Sequence, residues 1–255
     1  MLVMDPLESV LNVLLGLVLG TLGGLFGIGG GVLIAIPVLG VLFDLDQQLA
    51  QGTALVMVVP NVLLAIWRYH QRNRIDIRHA AALAISSFCL AIAGSSIAVS
   101  LDPARMRIAF VGFLLALALY NLFRLVQRPA QYSGELRHPW PWLTALGAGA
   151  GALGGLFGVG GAVLATPVLT SVFGTSQVVA QGLSLSLAAP STGVTLATYA
   201  LHDQVNWALG LPLAVGGLLS ISLGVKLAHT LPERMLRVLF SAFLVFSAIM
   251  LGYET

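Results

Sequence analysis

The sequence predicts an all-α polytopic membrane protein built as two inverted repeats of five helical segments, the first two of each repeat short and broken at a Gly-rich turn. Three observations lead there: a composition too apolar for a water-facing surface, ten apolar segments separated by charged or Pro/Gly-rich breaks, and an internal duplication of nearly the whole chain. Of the 255 residues, 58% are hydrophobic and 9% charged, whereas soluble domains carry roughly 25% charged residues. A soluble monomer is excluded, and so is a disordered chain, which needs low hydrophobicity and high charge. The net charge of +2 comes from Lys and Arg scattered thinly along the chain, so no nucleic-acid partner is expected. The single cysteine, Cys89, lies in an apolar run and offers neither a disulfide framework nor a Cys-based metal site.

A helix needs about 20 apolar residues to span the hydrocarbon. The apolar segments lie near 9–26, 32–43, 49–67, 79–100 and 107–123, then 140–157, 162–173, 179–201, 208–228 and 234–251. All ten carboxylates fall between them or at the termini, as do the twelve Lys and Arg, Arg68 and Lys226 lying nearest to a span. Trp67, Trp140, Trp142 and Trp207 mark segment ends, where an aromatic belt sits at the headgroups. The interior is therefore expected to hold no formal charge. His70, His79, His138, His202 and His229 also stand at segment ends and read as interfacial residues; no metal and no cofactor are expected.

Segments 32–43 and 162–173 are too short to span, and each follows a glycine cluster. A hairpin with two full crossings, a re-entrant pair and one long broken crossing are the competing geometries. The positive-inside rule separates the last from the others. If each Gly-linked pair returns to its starting side, ten Lys and Arg share one face and two the other; a single crossing gives seven to five. The first arrangement places both termini outside, and the amino-terminal flank agrees, with Asp5 and Glu8 and no basic residue. That flank also lacks the positive n-region of a cleaved signal peptide.

The repeat is explicit. Gly23-Gly24-Leu25-Phe26-Gly27-Ile28-Gly29-Gly30-Gly31 recurs as Gly154-Gly155-Leu156-Phe157-Gly158-Val159-Gly160-Gly161-Ala162. After a one-residue slip, Pro37 pairs with Pro167, Gln51-Gly52 with Gln181-Gly182, Pro60 with Pro190, Gly94 with Gly224 and Arg107 with Arg237. The organisation is a first membrane repeat over 1–126, a cytoplasmic linker over 127–139 and a second membrane repeat over 140–255. The charge-derived topology makes the halves antiparallel. Inverted repeats with discontinuous helices at matching places point to a transporter site near the midplane. Irregular backbone at that depth needs protein or a polar cavity to satisfy it, and a helix starting there turns free N–H groups and its positive dipole end toward an anion.

Not every glycine has this role. Gly16, Gly20 and Gly24, and likewise Gly147, Gly151 and Gly155, are spaced i, i+4, i+8, the small-xxx-small pattern of close helix packing. Gly27, Gly29, Gly30 and Gly31 with Gly158, Gly160 and Gly161 read instead as broken, site-lining turns, because each glycine costs a helix about 1 kcal/mol against alanine. A Rossmann phosphate loop lacks the βαβ context it needs. Among polar residues in the spans, Thr53, Asn61, Ser184, Ser186, Ser191, Thr192 and Thr195 read first as helix–helix hydrogen-bonding groups. Gln51 and Gln181 are stronger ligand candidates, since they recur beside the breaks. Pro60 and Pro190 are expected to kink their helices. The candidate substrate-binding set is Gly27, Gly29, Gly30, Gly31, Gln51, Thr53, Gly158, Gly160, Gly161, Gln181, Ser184 and Ser186, with no catalytic residue.

The motifs GGLFGIGGG and GGLFGVGGA, each leading to a proline, and the following AQG in each half resemble the sulfite exporter TauE/SafE family. So do YHQRNRID (Tyr69–Asp76) and LDPARMRIAF (Leu101–Phe110). The resemblance covers nearly the entire chain. It implies a bacterial-type permease of the cytoplasmic membrane for small sulfur oxyanions such as sulfite and sulfonates, in a family with both exporters and importers. Where the family often shows Ala-x-Gly-Thr-Ser, the copies here read AQGTA and AQGLS, so Thr53 and Ser184 each keep one hydroxyl of that pair.

The function expected is a secondary transporter of small sulfur-containing anions, working by alternating access in the lipid bilayer. The alternative is an anion channel using the same half-helix dipoles. An intramembrane enzyme would need a nucleophile or acid–base pair within a span, and no HExxH, GxSxG or paired carboxylate occurs. The absence of an intramembrane carboxylate argues against conventional proton or sodium coupling; export down an anion gradient, or movement of a protonated substrate, needs none. Assembly as a homo-oligomer is compatible with the sequence, which leaves the oligomeric state open.

Overall fold

The computed structural model describes residues 6–26, 31–72, 76–126, 141–175 and 177–252. Ten helices follow one another: α1 (Pro6–Leu25), α2 (Val32–Phe43), α3 (Gln47–Arg72), α4 (Ile77–Ser100), α5 (Pro103–Val126), α6 (Pro141–Phe157), α7 (Ala162–Ser171), α8 (Gln177–Leu201), α9 (Trp207–Thr230) and α10 (Glu233–Gly252). No strand occurs among the described residues. The linker 127–139 and Gly27, Gly29 and Gly30 lie outside them.

Each apolar segment of the sequence corresponds to one helix, and the ends are set by local chemistry. Proline opens α1, α5 and α6, its fixed φ suiting the first helical position and its missing N–H costing nothing there. Carboxylate and amide caps satisfy other first turns. Asp76 Oδ1 accepts from Arg78 N (2.9 Å) at α4, Asp102 Oδ1 from Ala104 N (3.0 Å) at α5, and Asn206 Oδ1 from Leu209 N (3.1 Å) at α9. Starting at Pro6 gives α1 20 residues. It is therefore a full-length helix, and only α2 among the first two segments of that repeat is short. Five stretches of described residues are long and apolar enough to cross a bilayer: Leu7–Leu25, Gln47–Trp67, Ile77–Ser100, Pro103–Phe123 and Trp207–Leu227. With 12 and 10 residues, α2 and α7 reach only about 15–18 Å at ~1.5 Å per residue, well short of the ~30 Å core. Pro60 and Pro190 stand inside α3 and α8, which stay helical through them; each proline withdraws the donor for the carbonyl four residues earlier, on Val56 and Ser186.

The chain forms two compact units. One comprises Met1–Asn61, Leu101–Arg128 and Asp203–Thr255, the other Val62–Ser100 and Pro129–His202. In the first, α1 lies along α9 with residue numbers rising together, so the two run parallel. A methyl at Gly16 would strike the Leu213 carbonyl, one at Gly20 would come to 2.6 Å from Gly217 Cα, and one at Gly24 would strike the Ile221 carbonyl. The stripe is reciprocal: Gly216 and Gly224 abut the Val13 and Thr21 carbonyls. In the same unit α10 packs on α5 and α2. Phe26, just after α1, meets Phe240 (ring centroids 5.3 Å apart), and Gly40 of α2 faces Leu251.

In the second unit, α6 lies parallel along α4, with Gly147, Gly151 and Gly155 against the backbones of Leu83, Ser87 and Ala91. Helix α8 packs on α4 and α7 around Leu83, Leu143, Leu169, Leu183 and Leu187. The i, i+4, i+8 glycines thus serve close packing, as their spacing implies. In each unit the first helix of one half of the sequence lies along the fourth helix of the other half.

Large apolar side chains also face outward, including Leu7, Val10, Leu14 and Val18 on α1 and Leu115, Leu119 and Leu122 on α5. Trp67, Trp142 and Trp207 are exposed at helix ends. No charged side chain among the described residues is buried. An apolar exterior over an uncharged interior, on helices of spanning length, defines a multi-pass membrane protein.

Candidate functional site

The second glycine break is described in full. Helix α6 ends at Phe157 and α7 starts at Ala162, and Gly158, Gly160 and Gly161 between them all have φ +69°. Left-handed backbone is strained for residues with a Cβ and accessible to glycine. The chain turns back here: a methyl on Gly154 would strike the Gly161 nitrogen, although a continuous helix would hold residues seven apart about 10 Å from each other. Side chains of α8 close over the turn. Ser191 Oγ lies 3.2 Å from both the Gly160 and the Ala188 carbonyls and shares its one proton between them, and Thr192 packs where a Gly160 side chain would stand. Tyr199 Oη, fully buried, donates to the Leu156 carbonyl at the end of α6 (3.3 Å).

The first break is described from Gly31 onward. Gly31, the N-cap of α2, has φ +47°, and a methyl there would lie 2.7 Å from the Leu19 carbonyl oxygen and 3.0 Å from Gly23 Cα. The start of α2 is thus folded back alongside α1. Gly31 precedes Pro37 by six residues, and Gly161 precedes Pro167 by six, so the one-residue slip between the repeats falls inside the break, where the first copy has an additional glycine.

Neither α2 nor α7 receives a side-chain cap at its start, and both starts are buried: Val32 and Leu33 are 1% exposed, Val163 6%. The first turn of a helix has N–H groups without intrahelical partners. Ile34 N, Ala162 N and Leu164 N already donate to the Gly31, Gly160 and Gly161 carbonyls. The N–H groups of Val32, Leu33 and Val163, which have no backbone acceptor among the described residues, and the positive dipole end suit a hydrogen-bond acceptor carrying negative charge.

The polar side chains around the breaks differ in what they have left to offer. Gln51 and Thr53 are buried in the first unit; Ser184 and Ser186 are buried and Gln181 half-buried in the second. Thr53 Oγ accepts from Asn206 N (3.0 Å). Its own proton has no acceptor among the described residues, so the hydroxyl can still donate. Ser184 is paired with Thr166 (2.8 Å), which also reaches the Ala162 carbonyl (3.0 Å), so two protons meet two acceptors. Ser186 donates to the Gly182 carbonyl (2.9 Å), and Thr192 and Thr195 donate to Ala188 and Ser191 (both 2.7 Å). Such bonds back to the preceding turn use up a hydroxyl's proton.

Asn61 is different. It is 0% exposed, and neither its Nδ2 nor its Oδ1 has a hydrogen-bond partner among the described residues. By residue type it belongs with the helix–helix hydrogen-bonding groups; the structure gives it no such bond. The sequence signal is a mismatch between the repeats: at the position after the shared proline, one copy has Asn61 and the other Ser191.

The sulfite exporter TauE/SafE family matches residues 12–251. A probable membrane transporter protein of Xylella fastidiosa is 31% identical over 221 residues, covering 86% of this chain and 82% of the relative. The probable membrane transporter protein YunE of Bacillus subtilis is 24% identical over 269 residues, covering 97% and 98%. One from Methanocaldococcus jannaschii is 27% identical over 252 residues, covering 92% and 91%. No solved structure matches the chain.

Proposed function

The chain belongs to the sulfite exporter TauE/SafE family of membrane transporters, and on that premise we propose that it moves small sulfur-containing anions, such as sulfite or organosulfonates, across the cytoplasmic membrane by alternating access. The observation that carries this reading is the buried, uncapped start of a short helix after a glycine turn, at α2 and again at α7. Placed in an uncharged interior, such helix starts attract an anion with peptide dipoles alone. A hold of that kind is weaker than a buried guanidinium would give and favours release on the far side. In this reading the two repeats are inverted, the 127–139 linker is cytoplasmic and both termini are outside, consistent with the ten-to-two split of basic residues. The anion-binding donors proposed are, in the first repeat, the peptides of Gly27, Gly29, Gly30 and Gly31 with Gln51 and Thr53, and in the second, the peptides of Gly158, Gly160 and Gly161 with Gln181. Ser184 and Ser186 contribute in the second repeat once their present hydrogen bonds open.

Reconstituted proteoliposomes test the proposal. Sulfite flux should saturate with concentration, and Gly160→Leu, which drives a side chain into Thr192, should lower it at least about tenfold. Flux equal to that of protein-free vesicles, or unaffected by Gly160→Leu, would count against the proposal. A conductance that rises without saturation would assign the same dipoles to a channel.

A further inference from the structure

We propose that Asn61 is a ligand for the transported anion in a singly protonated form: its Nδ2 donates to a charged oxygen while its Oδ1 accepts from the acid's remaining O–H. The inference deepens the anion-transport reading and rests on it. A buried carboxamide with neither end bonded is costly, because an unmet donor or acceptor loses its hydration without replacement. Native proteins contain few such groups, and each needs an explanation. Single buried atoms such as Asn12 Nδ2 and Gln47 Nε2 also lack a partner, but among the described residues only Asn61 lacks one at both ends of its side chain. Ser220 Oγ donates to the Gly217 carbonyl (3.4 Å). Asn121 on α5 shows the local remedy open to an asparagine in a helix, donating to the carbonyl four residues back on Leu117 (2.9 Å); Asn61 does not adopt it.

The setting is confined and uncharged. A methyl on Gly217 of α9 would lie 3.1 Å from Asn61 Nδ2 and 2.7 Å from Met57 Cγ, and Gly217 in turn is the glycine against which Gly20 of α1 packs. Leu19, next to Gly20, carries the carbonyl beside Gly31 at the start of α2. The carboxamide is thus connected to an uncapped helix start through two packed helices, α9 and α1. In the second repeat, Ser191 at the equivalent position shares its proton between the break, at Gly160, and the Ala188 carbonyl of its own helix.

The chemistry selects the guest. A cation would take Oδ1 and leave Nδ2 unmet, and a fully deprotonated anion would do the reverse. A small oxyanion keeping one O–H satisfies both ends. It also carries its proton with it, which suits an interior in which no described carboxylate is buried.

The test uses the purified full-length protein in detergent, with melting temperature and titration calorimetry as readouts. Hydrogensulfite and methanesulfonate are compared at one mildly acidic pH, where both are monoanions and only the first has an acidic O–H. Wild type should prefer hydrogensulfite by about tenfold or more. Asn61→Leu, close in volume and free of polar atoms, should bring that preference to about unity. It should also raise the melting temperature of the ligand-free protein, since two unmet polar atoms are removed. Asn61→Ser, which installs the residue of the second repeat, should behave in the same direction. Retention of the wild-type preference in both variants overturns the inference and leaves anion transport standing, as does a lowered ligand-free melting temperature in both, which marks Asn61 as a structural hydrogen-bonding residue. If a buried water alone satisfies the carboxamide, the variants leave anion binding unchanged, which also overturns it. Absence of binding of either anion to wild type overturns the anion reading itself.

Discussion

Gly161→Val is expected to destabilise the protein by about 2–6 kcal/mol and to abolish the proposed sulfite transport. Two effects add. Gly161 has φ +69°, where a β-branched residue carries about 1–3 kcal/mol of backbone strain. Its side chain would also strike the Ala150 carbonyl of α6, and such overpacking costs about 1–3 kcal/mol. Backbone cannot move aside as a flexible side chain can, so the turn opens and the start of α7 is displaced. Against a total stability of about 5–15 kcal/mol, this should appear as a large fall in both folded yield and melting temperature. Gly161→Ala avoids the branching and should fall between wild type and valine. Equal melting temperatures across the three proteins would mean that the turn lacks the tight, left-handed geometry described.

Gly155→Leu should be comparably damaging for a different reason. Gly155 is inside helix α6 with ordinary helical backbone, yet a Cβ there would meet the Ala91 carbonyl and lie 2.9 Å from Ala91 Cα. Helices in lipid associate through close van der Waals contact, with no hydrophobic drive between them. Forcing α6 away from α4 therefore removes what joins the pair. A loss of more than about 3 kcal/mol is expected, at the upper end for single substitutions. Gly149→Leu on the same helix is the control: Gly149 is exposed and its Cβ would meet nothing within 4 Å, so its effect should stay within about 0.5 kcal/mol. Thermal unfolding of the two variants in one detergent checks the contrast. Equal melting temperatures would contradict the parallel α4–α6 packing.

The helices were legible because hydrocarbon tolerates few alternatives: spans must be apolar and internally hydrogen-bonded, so charges and breaks mark their ends. The extra turn of α1 was missed because Glu8 looked like a boundary, whereas it sits exposed in the first helical turn after Pro6. The glycine spacing revealed that Gly16, Gly20 and Gly24 need a close neighbour. It could not name α9 as that neighbour, since a stripe of small residues has the same spacing whichever helix it meets. The candidate site was legible less evenly. Gly160 and Gly161 stood out because five glycines in the nine residues 154–162 are unsuited to an ordinary helix. Residue type alone could not rank the polar groups. Ser186 and Thr195 turn back onto their own helices, Thr53 holds the start of α9, and Asn61 has no partner among the described residues. These differences depend on rotamers and neighbours brought together from distant parts of the chain.

The central claim is that uncharged helix starts bind a sulfur oxyanion and carry it by alternating exposure. Counterflow tests it most directly: proteoliposomes preloaded with unlabelled sulfite are diluted into a trace of labelled sulfite, and internal label is followed with time. The account requires a transient overshoot of label above its equilibrium level, dependent on the preloaded sulfite and lost in Gly160→Leu. Label that rises to equilibrium without an overshoot, or an overshoot unchanged by Gly160→Leu, would contradict it.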